Sequence, residues 1–261
     1  MTDPDYLDDS YDRRFETTVT RTLDDRVTLE RTLFYPEGGG QPADRGTLTD
    51  PDSGRTWRVS DVEKADTIYH HLAGETANAT DDAGDGGGTD ATSDIDGFET
   101  PTAGATVTGE IDWDRRYAHM RYHTAQHLLS ALLLDEYDAE TTGNQLYSDR
   151  ARIDVGYDRF EDADLDAIEA RMNALVDDGR SVASYEMDRE AAEAELDPER
   201  TRLALLPVSI TEVRIVEIEG YDRTACAGTH ARDTEEIGTV SVSGRESQGS
   251  GEERVRFVLD S

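Results

Sequence analysis

Apolar residues along this chain follow two periods, and the change from one to the other divides it. Between residues 15 and 72 the pattern is that of strands and turns. Val27, Leu29, Leu33 and Tyr35 fall on one parity, the period of a half-buried strand. Gly38-Gly39-Gly40 predicts a turn after them, and short strands over Arg45–Leu48 and Thr56–Val62 are each bounded by Asp, Pro or Gly. Strand character returns at Thr106–Ile111. From Arg116 the spacing becomes helical: Met120, His123, Thr124, His127, Leu128 and Ala131 follow three- and four-residue steps, which predicts a helix to about Tyr137. A short loop over Thr141–Asn144, strand-like segments around Leu146 and Arg152–Val155, and helices over Asp164–Val176 and Asp188–Glu195 follow. Strands are then expected at Val213–Ile218, Ile237–Val242 and Arg254–Leu259. Helices ahead of antiparallel strands indicate an α+β domain over residues 112–261, after a β-rich domain over residues 1–111. There is no internal repeat.

Composition changes this picture in two places. Residues 75–100 carry eight acidic residues, five glycines and no basic residue, and read as an acidic insertion outside any core. The whole chain has a formal net charge of -33, with Lys64 as the single lysine among 26 basic residues. The apolar periods argue against disorder. Self-repulsion at this charge opposes compaction in dilute buffer, and molar salt shortens the screening length to about 3 Å, so the acidity points to a salty cytoplasm. It also argues against recognition of nucleic acid by a positive surface, an argument that weakens in high salt. Met1–Arg14 has neither a basic nor an apolar leader region, and no apolar run reaches the length of a membrane span.

Candidate chemistry gathers on the few His and Cys residues. His123 and His127 stand four apart on the expected helix, so both imidazoles share one face. A zinc peptidase would need Glu directly after the first His, where Thr124 stands. A hundred residues later, Cys226 and His230 stand four apart in a Gly-containing loop. One pair of imidazoles and one pair of a thiolate with an imidazole suit a tetrahedral ion with mixed N and S ligands; His123, His127, Cys226 and His230 are therefore expected to hold one Zn2+. The alternative for Cys226 is a buried apolar thiol. His70, His71 and His119 lack a comparable partner and are expected to be structural or solvent-facing.

Three segments carry a resemblance. Arg121-Tyr122-His123-Thr124-Ala125-Gln126-His127-Leu128-Leu129 resembles the first zinc motif of AlaX proteins and of the editing domain of alanyl-tRNA synthetase. Cys226-Ala227-Gly228-Thr229-His230, followed by Thr234-Glu235-Glu236-Ile237-Gly238, resembles the second. Phe34 to Gly46, with Gly38-Gly39-Gly40-Gln41 at its centre, resembles the glycine-rich segment of that family's N-terminal barrel. Ala227 stands where the family usually has Gly, and residues 75–100 look like an insertion. The resemblance implies a small β-barrel like that of translation factors, followed by an α+β editing domain, in the form of intermediate length.

The activity it implies is hydrolysis of the aminoacyl ester of tRNA(Ala) mischarged with serine, and with glycine. By the same similarity of position, Gln126 and Thr142 are assigned to the amino-acid pocket. Asp154, alternating with Ile153 and Val155, is assigned to the substrate ammonium, with an ordinary polar surface as the alternative for all three. Gly38, Gly39, Gly40 and Gln41 are expected to approach the tRNA acceptor end, or else to form a simple tight turn. Arg115, Arg116 and Arg121 are candidate phosphate contacts, or partners for the many carboxylates. The competing reading is a zinc-containing module that binds tRNA without turnover.

Overall fold

The computed structural model describes residues 1–73, 99–201, 203–249 and 251–260. The acidic insertion read at 75–100 therefore lies outside the described residues, apart from Glu99 and Thr100. The described chain divides into two compact units, one of Met1–Glu37 with Ala43–Trp113, the other of Gly38–Pro42 with Asp114–Ser261. The five residues Gly38–Pro42 thus belong with the second unit although they lie within the sequence of the first.

The first unit is a closed six-stranded barrel. Its strands are β1 (Arg14–Thr22), β2 (Arg26–Leu29), β3 (Gly46–Thr49), β4 (Thr56–Lys64), β5 (Ile68–Ala73) and β6 (Thr106–Ile111), in the order β1-β2-β5-β4-β3-β6, with β6 pairing back to β1. Every barrel pair is antiparallel. Val19, Val27, Leu29, Leu48, Val59 and Val107 are fully buried in its core. The strand expected to run from Val27 to Tyr35 stops at Leu29. Strict alternation fails there because Thr28 is buried too, its hydroxyl sharing a 2.7 Å hydrogen bond with that of Thr20. His70, on β5, is buried with Nε2 2.8 Å from the Thr32 hydroxyl and its ring edge-on to Phe34.

In the second unit, α1 (Trp113–Tyr137) is the long central element. Met120, Leu128, Leu129, Leu132 and Leu133 are buried along it, each contributing about 1.5–3 kcal/mol by leaving water. The helix stops at Asp138, whose φ of 55° is left-handed, a conformation a short polar side chain tolerates. Strands β7 (Thr141–Leu146) and β8 (Ala151–Val155) follow, so the loop expected over Thr141–Asn144 is part of a strand. Next comes α2 (Asp162–Asp177), whose N-terminus is closed by a capping box between Glu161 and Asp164. Then β9 (Val182–Asp188) leads into α3 (Arg189–Glu195), capped by the Asp188 carboxylate. The remaining strands are β10 (Glu212–Ile218), β11 (Asp222–Ala225), β12 (Val240–Gly249) and β13 (Glu252–Leu259). They form two antiparallel sheets, β12-β13-β8-β7 and β9-β10-β11. The strand expected from Ile237 begins only at Val240, because Thr234–Ile237 form a turn of 3-10 helix capped by Asp233 and ended by Gly238 at φ 74°.

No helix among the described residues is long and apolar enough to cross a membrane.

Candidate metal centre

Helical spacing places His123 and His127 on one face of α1, with ring centroids 5.1 Å apart. Strand β11 delivers the chain into the loop that carries Cys226 and His230. The His230 ring lies 4.3 Å from that of His123 and 4.6 Å from that of His127, centre to centre. One ligand atom from each of these four residues falls within 4.8 Å of every other. The Cys226 Sγ is 3.6 Å from His123 Nε2 and 3.4 Å from His230 Nε2. A tetrahedron with metal–ligand bonds of about 2.0–2.3 Å has edges of roughly 3.3–3.8 Å, so the two sulfur–nitrogen separations match it and this donor set could hold one metal ion.

The outward-facing nitrogens decide what the inward-facing ones can do. Gln41 is fully buried. Its Nε2 donates to the Thr229 hydroxyl at 2.8 Å, while its Oε1 accepts from the Thr229 backbone N–H at 3.1 Å. The same Oε1 lies 2.9 Å from His123 Nδ1, which must therefore carry a proton. Thr124 does the same for His230. Its hydroxyl donates to the Met120 carbonyl at 3.0 Å and accepts from the Ala231 N–H, so His230 Nδ1, 3.2 Å away, is the donor. Two of the three imidazoles thus have Nδ1 committed as a donor, with Nε2 facing the Cys226 sulfur.

Burial alone favours the neutral Cys226 thiol, but the imidazoles of His123 and His230 outweigh it and hold the thiol well below its ordinary range. That shift is toward the thiolate, the form that binds metal. The Gly228 N–H points at it from 3.3 Å. Burial, reinforced by the neighbouring His123, brings His230 down to about 3, so its ring is neutral. His127 is shifted upward: burial opposes the charge, but the Asp222 carboxylate and Cys226 favour it.

Two glycines are required by close approach. A Cβ on Gly228 would lie 2.1 Å from His123 Cε1 and 2.5 Å from its Nδ1, so only glycine lets this loop close over the ring. In the Gly38–Gln41 segment, Gly39 and Gly40 have φ of 59° and 83°, and Gly38 and Gln41 exchange backbone hydrogen bonds of 3.1 and 3.0 Å. This is a two-residue turn of the type that needs positive φ at both central positions. A Cβ on Gly40 would fall 1.7 Å from Asn144 Oδ1. The Gly40 carbonyl accepts from Leu146 N at 2.8 Å and from Gln145 Nε2 at 3.2 Å, fastening the turn to β7 and aiming Gln41 at His123.

The other residues singled out in the sequence lie as follows. Gln126 is buried on α1 between the two histidines, and its Oε1 has no hydrogen-bond partner in the protein. Thr142 is exposed, and its hydroxyl donates to Glu252 Oε1 at 2.5 Å. The register shift between Asp154 and Val155 leaves Thr142 outside the β7–β8 pairing. Asp154 points away from the face that buries Ile153 and Val155; Arg254 holds it at 2.6 and 2.9 Å, with Arg152 at 3.4 Å. Of the three arginines on α1, Arg116 is fully buried, and Arg121 donates to the Ile237 and Asp260 carbonyls. Arg115 is half-buried. Sequence reading missed Thr124, Gly228 and Asn144 as parts of the site. Thr124 and Gly228 lie inside the two motifs, but nothing in their residue type announces a partner a hundred residues away.

Residues 7–85 match the family described as class II tRNA synthetases (A), and residues 213–256 match the threonyl and alanyl tRNA synthetase second additional domain. The alanyl-tRNA editing protein AlaX-M of Methanosarcina barkeri is 38% identical over 261 residues, covering 99% of each chain. That of Methanosarcina acetivorans is 36% identical with the same coverage. The alanine–tRNA ligase of Methanothrix thermoacetophila is 36% identical over 251 residues, which span 95% of this chain and 24% of the ligase.

Proposed function

The chain belongs to the AlaX-M family of alanyl-tRNA editing proteins, and from that premise we propose that it is a zinc-containing hydrolase that removes serine, and also glycine, from mischarged tRNA(Ala) in the cytoplasm. The carrying observation is the convergence of three imidazoles and one thiolate, two of the imidazoles held in the metal-binding tautomer by Gln41 and Thr124. His123, His127, Cys226 and His230 would hold the zinc, which when bound can polarise the ester carbonyl or lower the pKa of water. The division into a translation-factor-like barrel domain over residues 1–111 and an editing domain over residues 112–261 belongs to the same proposal.

The chain's own residues supply recognition. Gln126 offers a buried carbonyl oxygen without a hydrogen-bond partner in the protein, beside the candidate metal ligands, and a serine hydroxyl would satisfy it. A group of this kind favours the hydroxyl-bearing substrate over alanine, whose methyl leaves it unpaired. Thr142 and Asp154 would act less directly, since both are engaged by neighbours on the sheet. On the tRNA side, Gly39 is exposed with no atom within 4 Å of its would-be Cβ, so its backbone is open to the acceptor end. Gly38 and Gly40 shape that turn, and Gln41 anchors it. Arg115 is the candidate for phosphate; Arg116 and Arg121 would act by fixing α1.

A zinc-containing tRNA-binding module without turnover is the second reading, favoured by the fact that four protein ligands can close a tetrahedral site. Deacylation of Ser-tRNA(Ala), Gly-tRNA(Ala) and Ala-tRNA(Ala) by the zinc-loaded protein in molar salt separates the two. Release of serine with Ala-tRNA(Ala) left largely intact is expected, and Thr142→Val should alter it by only a few-fold. Zinc-loaded protein that binds the tRNA yet never accelerates loss of serine would leave only the binding module.

A further inference from the structure

Two of the three site histidines have an identified acceptor for Nδ1, and the third does not. His127 Nδ1 is buried without a hydrogen-bond partner in the protein. The polar group it faces is the carboxylate of Asp222, whose Oδ2 lies 3.6 Å away, beyond an ordinary hydrogen bond by about half an ångström. Asp222 is itself 5% exposed, an unusual place for a carboxylate. It is held there by Arg200, whose Nε and terminal nitrogen donate to its two oxygens at 2.8 and 2.6 Å. The same guanidinium reaches the His127 carbonyl at 3.3 Å. Arg200 therefore grips both the carboxylate and the backbone of the histidine that the carboxylate faces. Thr201, the next residue, fastens this segment to β11 through a 2.9 Å bond to the Thr224 hydroxyl.

We infer that Asp222, clamped by Arg200, is the positioning residue that accepts the His127 Nδ1 proton and so turns its Nε2 toward the metal. This rests on the metal reading of the four-residue cluster. The reason is steric as much as electronic. An imidazole can swing about its side-chain torsions, and a buried carboxylate immobilised at both oxygens gives its N–H one direction in which to point. Carboxylate–imidazole–metal relays of this kind also raise the basicity of the ligating nitrogen. The pair completes a set in which each histidine is steered by a different group: a glutamine from the glycine turn, a threonine from α1, and an aspartate from β11.

Asp222→Asn tests this at nearly constant shape. The side chain then has one oxygen, which Arg200 claims, and its amide hydrogens meet the His127 N–H donor to donor. Zinc affinity of the full chain, measured by chelator competition, should fall on the order of 10- to 100-fold. A second readout uses Co2+ at saturating concentration. The three ligand imidazoles should each show a paramagnetically shifted, solvent-exchangeable N–H proton line, and Asp222→Asn should move or lose one of them. A merely structural role for Asp222 would leave those lines in place once metal saturates the site. Should Asp222→Asn fail to fold, Arg200→Gln decides, since it keeps the carboxylate but frees it; a loss on the order of 10-fold with the same proton line perturbed is expected. Zinc binding within twofold of wild type together with three unmoved lines, in whichever variant folds, would overturn the inference while leaving the metal site standing. A wild-type protein that takes up neither Zn2+ nor Co2+ would instead remove the metal reading and this inference with it.

Discussion

Buried histidines occur in both units, and they are used in opposite ways. In the barrel, His70 has Thr32 at one nitrogen and the Val27 carbonyl 3.4 Å from the other, with Phe34 against its ring. Burial holds it near 3, and it serves as a polar spoke in an apolar core. In the second unit, Gln41 and Thr124 engage Nδ1 of His123 and His230, and the two Nε2 atoms converge on the Cys226 sulfur. The imidazole and its burial are the same in both places. What differs is whether the surrounding groups take up both nitrogens or leave one of them aimed at others like it. His70, with both nitrogens engaged, serves the core; His123 and His230, fixed at Nδ1 with Nε2 facing the Cys226 sulfur, are set as candidate ligands.

The sharpest break of this comparison is Cys226→Ser. A hydroxyl stays protonated where the thiolate was, so zinc affinity should fall by more than the roughly 100-fold that outer-shell changes can cost, with deacylation lost. Barrel unfolding should be untouched. Metal analysis by mass spectrometry reads the outcome, and full zinc retention in both Cys226→Ser and His127→Ala would dissolve the contrast.

Gly228→Ala leaves all four ligands in the chain but brings a Cβ within 3 Å of the His123 ring. The ring or the loop must move, breaking the bond from His123 to Gln41, and zinc affinity should fall on the order of 10-fold. Retention of wild-type affinity would mean that the loop yields freely.

A test by pH sharpens the barrel side. His70 is neutral when folded and titrates near 6.5 when unfolded. As pH falls from about 6.5 toward 3 the unfolded chain takes up a proton that the folded chain refuses, so stability falls by up to ~1.4 kcal/mol per pH unit in that window. His70→Gln should flatten this limb in denaturant titrations at several pH values. An unchanged slope would show that His70 is not the group responsible.

Much of the second unit was legible because its signals are local. A run of three- and four-residue steps marked α1, and the structure extends it only from Arg116 back to Trp113. The four candidate ligands stood out as two His/Cys pairs at four-residue spacing in a chain with few such residues. The barrel was less legible. Strands at Arg14–Thr22 and Ile68–Ala73 carry no clean alternation, since a closed barrel buries positions such as Thr17 and His70 through hydrogen bonds that no local pattern reports. Between Thr141 and Asn144, Gly and Thr spoke for a loop, and pairing with β8 made it a strand.

By itself the sequence determined the helical spacing of the candidate ligands, the one cysteine among the histidines and the glycines that permit tight turns, because each of these depends on residue type and short-range geometry. Only the tertiary structure decided what those groups meet. It carries Gln41 to His123 across 82 positions, Thr124 to His230 across 106, and Asp222 to the face of His127. Which nitrogen of an imidazole bears the proton is set by such partners, and hydrogen-bond partners that distant in the chain are chosen by packing.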